Sequence, residues 1–378
     1  MKQLSALLLM SIFFSCNSES GTGEGDFTKM SFSLDTVMVD PGDDIINLKH
    51  GIWLSALSPD KKYLYNFDRD QSLIEIVSLD HLILEEKIPF EKEGPNGTGQ
   101  YLSRIQINRD NLFELSSWEG TGIFTAQGQK IQEFKLRKEE IEGDRLKEGE
   151  DFSNFHISSD GNTLISLINS WNEKGYALGV LEYDSRKLKR HELEDFDRTQ
   201  DYSVTFRSGN GMTISAQSVD LQEYLGKYLI SNAIFNTIVL YDPEADSLTY
   251  IKYDNRLTEN SKKGKYKNEV DSHEARVKES QLIKQEINFM APVWDEQNEH
   301  FYRFSYKLKP AEENAEANTP AKAEVFLTVL DSGFQVLGES KVDALQKIPA
   351  KHFVKDGKIW MYENIDDELA FVRLSISR

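Results

Sequence analysis

The chain has 378 residues, with 44 basic and 63 acidic side chains and a formal net charge of −19. That charge argues against a nucleic-acid binder, which needs clustered Lys and Arg to neutralise phosphates. Hydrophobic residues make up 39% of the chain and aromatic residues 11%, which is enough for a sizeable core. The single cysteine excludes a disulfide framework and a thiolate metal cluster.

The first sixteen residues predict export and lipidation. Lys2 precedes an apolar run, Leu4 to Phe14, that is too short to span a bilayer. The run is followed by Ser15 and then by Cys16, the only cysteine. A small residue before this cysteine resembles a bacterial lipobox, so residues 1–15 are interpreted as a lipoprotein signal peptide and Cys16 as the lipidation site. Two alternatives remain: an ordinary secretory signal with an incidental cysteine, and a buried apolar N-terminus.

Residues 16–27 are predicted to be a lipidated, flexible tether, because the residues after Cys16 are mostly small, polar and acidic. Removal of residues 1–15 takes away one base, Lys2, and no acid. The mature chain therefore lacks the basic patch that would hold it flat on anionic lipid. We expect it to contact the membrane only through its lipid anchor.

Residues 28–378 predict a repeat of short strands. Residues 31–39 alternate apolar and polar, and four strand-like pieces follow at 53–57, 63–67, 73–78 and 82–88. Four antiparallel strands joined by tight turns make one propeller blade. The pattern recurs, and the first-turn residues Asp60, Asp110 and Asp160 are 50 residues apart, which indicates a repeat architecture.

Six such units are expected. The fourth is placed on the strands that begin at Lys227, with an enlarged first turn at 220–226, rather than on Ser208–Gly211, which also falls on the period. Six units and one early strand predict an all-β fold, a six-bladed β-propeller closed by its N-terminal strand in the last blade. A two-domain β-sandwich is the alternative, since it also contains regular short strands.

Two insertions interrupt the period. Residues 254–286 are charged and turn-rich, with a helix predicted from Glu269 to Glu286 on the start signals Ser272 and Glu274. Residues 309–322 have the composition of a disordered loop. Both are expected to project from the ring, either as solvated loops or as carriers of function.

Signals for catalysis are weak. Gly94–Gly99 is similar to a phosphate-binding loop, but Gln100 and Tyr101 stand where that chemistry requires Lys and Ser or Thr. The seven histidines show no metal-binding spacing, and no serine nucleophile elbow is present. The acidic clusters at 43–44 and 366–368 lack the pattern of an EF-hand loop. No cofactor is identified, and calcium remains open.

Two tryptophans are the candidate ligand-binding residues. Trp118 and Trp171 both lie in polar turns that contain glycine. An aromatic ring beside hydrogen-bonding groups suits stacking on a sugar or a peptide. The alternative is that each ring folds back to cover the end of a blade.

Three features together resemble one family. They are the lipobox-like start, the turn Ser58–Leu64 (Ser-Pro-Asp-Lys-Lys-Tyr-Leu) and the link Glu93–Gly99 (Glu-Gly-Pro-Asn-Gly-Thr-Gly). They resemble a family of uncharacterised Bacteroidota lipoproteins that are six-bladed propellers, loosely similar to the TolB-type propeller. The resemblance covers essentially the whole mature chain. It implies lipidation at Cys16 and a lipid-anchored place in the outer membrane, facing the periplasm or the cell surface, and it brings no catalytic motif.

The sequence therefore leaves three functional hypotheses. The first is a cell-envelope lipoprotein whose non-enzymatic propeller binds an envelope protein or an extracellular glycan or peptide polymer. The second is a divalent-metal-dependent hydrolase or lactonase with its site in the central channel. The third is a structural or sensor component covered by a partner subunit. Fold alone does not decide among them.

Overall fold

A computed structural model describes residues 27, 29–108, 110–117, 119–136, 140–158, 161–170, 174–209, 211–310 and 321–377. These residues form 29 β-strands, one α-helix and a 3-10 helix, Phe196–Tyr202. Within these ranges, no helix combines the length and apolarity needed to cross a membrane. The proposed signal peptide and Cys16 lie outside the described residues.

The first half of the chain folds into three antiparallel sheets in chain order. Sheet 1 contains β2 (Ser55–Leu57), β3 (Tyr63–Asp68), β4 (Leu73–Ser78) and β5 (Ile83–Pro89). Sheet 2 contains β6 (Leu102–Ile107), β7 (Phe113–Ser117), β8 (Gly120–Phe124) and β9 (Lys130–Phe134). Sheet 3 contains β11 (Glu150–Ile157), β12 (Thr163–Ser170), β13 (Tyr176–Glu182) and β14 (Lys187–Glu192), with β10 (Glu142–Gly143) added in parallel at its outer edge.

The second half repeats the arrangement three times. Sheet 4 contains β17 (Val219–Tyr224), β18 (Lys227–Asn232), β19 (Ile238–Asp242) and β20 (Ser247–Ile251). Sheet 5 contains β22 (Asn288–Phe289), β23 (Val293–Asp295), β24 (His300–Leu308), β25 (Ala323–Asp331) and β26 (Val336–Lys341). Sheet 6 contains β27 (His352–Lys355), β28 (Lys358–Ile365), β29 (Glu368–Ser377) and, from the other end of the chain, β1 (Ser31–Met38).

The N-terminal strand completes the last sheet, as its alternation predicts. β1 pairs antiparallel with β29 along its whole length, from Ser31 opposite Ser377 to Met38 opposite Ala370. Arg373 donates to the carboxylate of Asp35 across this pair, with Nε at 3.0 Å. The first and last parts of the chain are thus hydrogen-bonded in one sheet, which covers an otherwise open edge.

The first strands of neighbouring sheets pack against one another. β2 contacts β6, β11 contacts β17, and β23 contacts β27. Lys351, directly before β27, donates through Nζ to the carbonyl and hydroxyl oxygens of Ser55 in β2, at 2.6 and 2.9 Å. The molecule is therefore a mostly β, propeller-like fold in which successive sheets meet along their first strands.

Aromatic side chains fill the spaces between sheets. Phe90 contacts the rings of Phe113 and Phe124 edge-to-face, with centroids 5.8 Å apart in both pairs, between sheets 1 and 2. Tyr224 contacts Phe301 in the same way at 4.7 Å, between sheets 4 and 5. Such pairs add about 0.5–1.5 kcal/mol each beyond the burial of their area.

The prediction for the fourth unit is partly wrong. Its later strands begin at Lys227 as expected, but residues 220–226 are not an enlarged turn, because they form most of β17 and a tight turn at Leu225–Gly226. Ser208–Gly211, set aside as a blade turn, joins β15 (Val204–Ser208) to β16 (Gly211–Ser215). These strands form a separate three-stranded sheet with β21 (Glu269–Val270), which runs parallel to β15. This accessory sheet lies outside the six-sheet repeat.

The helix expected in the insertion at 254–286 is present as α1 (His273–Gln285). It begins at Ser272, whose hydroxyl accepts from the amide of Ala275 at 3.0 Å, as an N-cap requires. The C-terminal part of α1 is held by Lys262, which is fully buried and donates to the carbonyl of Ile283 at 3.0 Å and to Oδ1 of Asn288 at 2.7 Å. Burial lowers the pKa of Lys262 to about 7.

Replacement of Lys262 by Met is expected to flatten the pH dependence of stability. The unfolded lysine titrates near 10.5 and the folded one near 7. Between these values the unfolded chain binds a proton that the folded chain does not, so the free energy of unfolding rises with pH from 7 to 10.5 and is flat below 7. Each pKa unit corresponds to about 1.4 kcal/mol, so the rise amounts to a few kcal/mol.

Urea unfolding of the wild type, Lys262→Met and the exposed neighbour Lys263→Met between pH 6.5 and 10 measures this rise. The control should keep the wild-type slope. The same slope in Lys262→Met would show that another group causes it.

Candidate functional site

A cavity of about 820 Å³ opens between the first strands of sheets 2, 3 and 4 and extends outward between sheets 2 and 3. Its inner wall carries Arg104 from β6, Asn154 from β11 and Asp220 from β17. Its outer walls carry the hydroxyl groups of Ser116 and Thr121. These residues meet because each first strand begins at the same face of the molecule.

Arg104 lies at the centre of the inner wall. One guanidinium nitrogen donates to Oδ1 of Asn154 at 3.0 Å, and the other lies 2.8 Å from Nε2 of His156. In the described part of the chain, no carboxylate is within ion-pair distance of Arg104. Burial lowers its pKa to about 10, and the charges of Glu114 and Asp220 oppose that shift. Arg104 therefore remains a cation at neutral pH, held in place by neutral side chains.

His156 orients Arg104 as a neutral imidazole. Burial, and then the neighbouring charge of Arg104, lower the pKa of His156 to about 3. With its amide oxygen turned toward the pair, Gln106 accepts from Arg104 at 2.9 Å and from Nδ1 of His156 at 3.2 Å. Nε2 of His156 lies between Arg104, at 2.8 Å, and the carbonyl oxygen of Leu221, at 2.9 Å, so these neighbours fix the position of the ring.

Asn154 has an unusual backbone conformation at the cavity wall. Its φ angle is +53°, and the pairing of β11 with β12 shifts register between Ser153 and His156. Asparagine tolerates this left-handed conformation better than most residues. The bulge turns its amide so that it accepts from Arg104 and donates to the carbonyl of Val219 at 3.2 Å. Bulges of this kind often redirect a side chain beside a binding site.

Other charged groups surround the inner wall. Burial raises the pKa of Asp220, and a hydrogen bond from Ser218 and the charge of Arg303 partly oppose this rise. Burial also raises the pKa of Glu114 to about 7, and lowers the pKa of Lys351 to about 8, with the charge of Arg104 adding to the latter shift. The site therefore combines carboxyl groups that resist ionisation with a cation that has no ion-pair partner in the described part of the chain.

Aromatic rings lie at and near the mouth of the cavity. Trp53 lines it and is 49% exposed. The guanidinium of Arg69 lies 4.4 Å from the centre of that ring and donates to the carbonyl of Leu102. Tyr101, which directly precedes Leu102, is 73% exposed. The mouth thus offers a stacking surface beside hydrogen-bonding groups.

A second cavity, of about 300 Å³, adjoins the first. The link Gly94–Gly99 borders it, and Ser117, Glu119 and Gly120 line both cavities. Gly99 has a φ of +88°, and a Cβ there would lie 2.7 Å from the hydroxyl of Ser117. Glycine is therefore required for the link to pass this close to β7. Lys130 and Lys135 share one carboxylate, that of Glu133, at 2.8 and 2.9 Å.

The two predicted ligand-binding tryptophans, Trp118 and Trp171, lie outside the described residues. Ser117 and Glu119, on either side of position 118, line both cavities. Trp53, Arg104 and Asp220 were missed by the sequence analysis, whereas Asn154 lies in a link between units that the repeat brings to this face. A signal for Arg104 was available, because it precedes Asn154 by 50 residues, the same period as the first-turn aspartates.

The acidic clusters have structural roles. Asp366 and Asp367, with φ angles of +53° and +66°, form the turn between β28 and β29. Asp44 lies 3.3 Å from Nζ of Lys87. In the part of the chain that the structure describes, no three His, Cys, Asp or Glu side chains are grouped so that they could hold a metal ion. The described residues thus offer no support for the calcium site that the sequence left open.

Comparison with known proteins places the fold. A DUF4221 family member from Bacteroides vulgatus has a TM-score of 0.66 at 12% identity, covering 93% of this chain and 99% of its own. A Bacteroides fragilis protein proposed to be exported has a TM-score of 0.52 at 10% identity, covering 92% and 96%. At these identities the likeness shows the fold alone. No curated protein matches the chain.

The family model described as "Domain of unknown function (DUF4221)" matches residues 28–341. This agrees with the expected resemblance to an uncharacterised family of Bacteroidota, since both similar structures come from Bacteroides species. Because the match spans most of the chain, the protein belongs to the DUF4221 family.

Proposed function

We propose that this chain is a lipid-anchored cell-envelope protein whose six-bladed β-propeller binds an acidic oligosaccharide without cleaving it. Six repeated sheets, joined through β1 and β29, support the blade count and the closure. The lipobox-like sequence at Cys16 supports the anchor and a place in the outer membrane. Residues 1–15 are then the signal peptide, residues 16–27 the tether and residues 28–378 the propeller, with insertions at 254–286 and 309–322.

The guanidinium of Arg104 carries the proposal of an acidic ligand. It lines the cavity, keeps its charge at neutral pH and has neutral hydrogen-bond partners. Removing a cation from water without an ion-pair partner is costly, and an incoming carboxylate would offset that cost. A guanidinium also binds carboxylate oxygens in a bidentate geometry.

The rest of the lining favours a sugar. The amides of Asn154 and Asn169 and the hydroxyl of Ser153 can exchange hydrogen bonds with a hydroxyl-rich ligand. Trp53 and Phe155 supply apolar ring surface. A second cavity that shares three wall residues with the first leaves room for a further sugar unit.

Tetragalacturonate and its fully methyl-esterified form test the proposal. They have the same sugar rings and differ in charge, so calorimetric titration should give saturable binding of the acid and at least about tenfold weaker binding of the ester, as expected for a charge-assisted hydrogen bond. Equal affinities, or no binding of either, would contradict an acidic-sugar site. Recovery of the tetramer at its original length supports binding without cleavage, and shortened products would support the hydrolase hypothesis instead.

A peptide carboxylate is the competing ligand. Tetraalanine and its C-terminal amide form the matching pair for that ligand. Binding of tetraalanine but not of tetragalacturonate would keep Arg104 as an anion site and overturn the assignment to sugar.

A further inference from the structure

The cavity and the start of the N-terminal strand β1 lie at opposite edges of the sheets. Arg104 near the start of β6 and Ser117 at the end of β7 line the cavity. In sheet 6 the corresponding edge contains the start of β27. Because strands alternate in direction, that edge also contains the end of β1, where Met38 pairs with Ala370. β1 therefore begins at the other edge, where Ser31 pairs with Ser377.

Contacts between sheets align these edges around the molecule. On the cavity face, Lys351 before β27 donates to the carbonyls of Ile52 and Trp53, both at 3.3 Å, and Trp53 lines the cavity. On the opposite face, Lys355 at the end of β27 donates to Asp80, in the turn between β4 and β5, at 2.5 Å. There too, Lys61, between β2 and β3, lies 3.5 Å from Glu296, between β23 and β24.

Phe27 fixes the point where the chain leaves the opposite face. Its side chain is 2% exposed and its ring meets the ring of His300 edge-to-face at 5.1 Å. His300 begins β24, at the edge away from the cavity. A Cβ on Gly338 in β26 would lie 2.4 Å from the carbonyl oxygen of Phe27, so this glycine allows the chain to lie against sheet 5.

We infer that the anchored protein holds its cavity away from the membrane and turns the opposite face toward the lipid. This inference rests on the proposed anchor at Cys16. Eleven residue steps separate Cys16 from Phe27. The flexible tether proposed above would have an end-to-end distance of about 18 Å. Eight-residue strands are about 26 Å long, so a cavity turned toward the lipid would need a tether stretched past the side of the ring.

Energy transfer to a labelled bilayer tests the orientation. The mature chain from residue 17, which contains no cysteine, is bound through an N-terminal hexahistidine to phosphatidylcholine vesicles that contain a nickel-chelating lipid and a rhodamine-headgroup acceptor. A donor dye is placed either at Glu296→Cys, on the opposite face, or at Tyr101→Cys, beside the cavity. Transfer from position 296 should be at least twofold higher than transfer from position 101. Equal transfer, or the reverse order, would overturn the inference.

A matched control moves the attachment point. The insertion at 309–322 joins the end of β24 to the start of β25, which is at the cavity face. A hexahistidine inserted between Asn314 and Ala315, with none at the N-terminus, should reverse the order of transfer. An unchanged order would show that the dyes, rather than the attachment point, determine the signal, and would overturn the inference.

The anchor and the ligand are tested separately. The tag replaces the lipid, so the orientation result depends neither on lipidation nor on ligand binding. Incorporation of radiolabelled palmitate into the wild type but not into Cys16→Ala would support the anchor. Absence of label in both would remove the anchor, and the inference with it, while the sugar titration would stand unaffected.

Discussion

Arg104→Gln is expected to lower the affinity for tetragalacturonate by about 10- to 100-fold, because hydrogen bonds to charged groups contribute about 1.5–3 kcal/mol. Glutamine keeps a polar side chain in the cavity and removes only the charge and the planar donor fork. The same substitution should leave the affinity for the methyl ester almost unchanged. The measured quantity is the ratio of the two dissociation constants, which should fall toward one.

Two further variants separate charge from geometry. Arg104→Lys keeps the cation but loses the fork, so it should retain part of the preference for the acid. Arg207→Gln removes a base whose side chain is 58% exposed, and it should bind both ligands as the wild type does. Unchanged preference for the acid in Arg104→Gln would remove Arg104 from the proposed site.

The stability of Arg104→Gln distinguishes a binding residue from a structural one. Among the described residues the wild-type guanidinium has no carboxylate at ion-pair distance, and burial lowers its pKa to about 10. Loss of the charge should therefore leave the melting temperature unchanged or raise it, as happens when a binding site is maintained at the expense of stability. A large drop in melting temperature would indicate that Arg104 mainly supports the fold.

Much of the fold could be predicted because its signals are local. Alternation and turn residues indicate the strands of sheet 1, which the structure places within two residues of their expected starts. The start of α1 could be predicted from Ser272, since an N-cap hydroxyl serves the adjacent helical turn. The pairing of β21 with β15 could not be predicted, because it joins two residues to a strand more than 60 positions earlier.

The site was harder to predict because its chemistry depends on neighbours from different sheets. Nothing near Arg104 in the sequence reveals that its partners are Asn154 and His156, about 50 residues later. Asp220 was expected in a turn, and its place on the inner wall follows from β17, which the enlarged-turn interpretation concealed. Arg104 and Asn154 are separated by the 50-residue period of the repeat, whereas Asp220 does not fall on that period.

Arg303→Met is expected to lower the free energy of unfolding by about 3–5 kcal/mol, the largest stability effect we anticipate. Arg303 is 1% exposed, in β24 of sheet 5. Its guanidinium donates to three groups in sheet 4 or its flanks, which are the carbonyls of Asn232 and Asn236 and the hydroxyl of Tyr253. Its Nε donates to the carbonyl of Met290 at 2.9 Å. Methionine fills a similar volume but leaves these buried acceptors without donors.

Urea unfolding measures the loss, with Arg207→Met as the matched control. That control removes an exposed base, so it should stay within about 0.5 kcal/mol of the wild type. Arg303→Lys keeps the charge but satisfies fewer of the carbonyls, so its stability should fall between those of the wild type and Arg303→Met.

Arg303 and Arg104 are expected to have different roles. Neither arginine has a carboxylate at ion-pair distance among the described residues. Arg303 donates to backbone carbonyls and so joins two sheets, whereas Arg104 faces a cavity. Arg303→Met should therefore lose stability, and Arg104→Gln should lose affinity with its stability kept. The opposite pattern, a stable Arg303→Met and an unfolded Arg104→Gln, would exchange the two roles and move the candidate site to the contact between sheets 4 and 5.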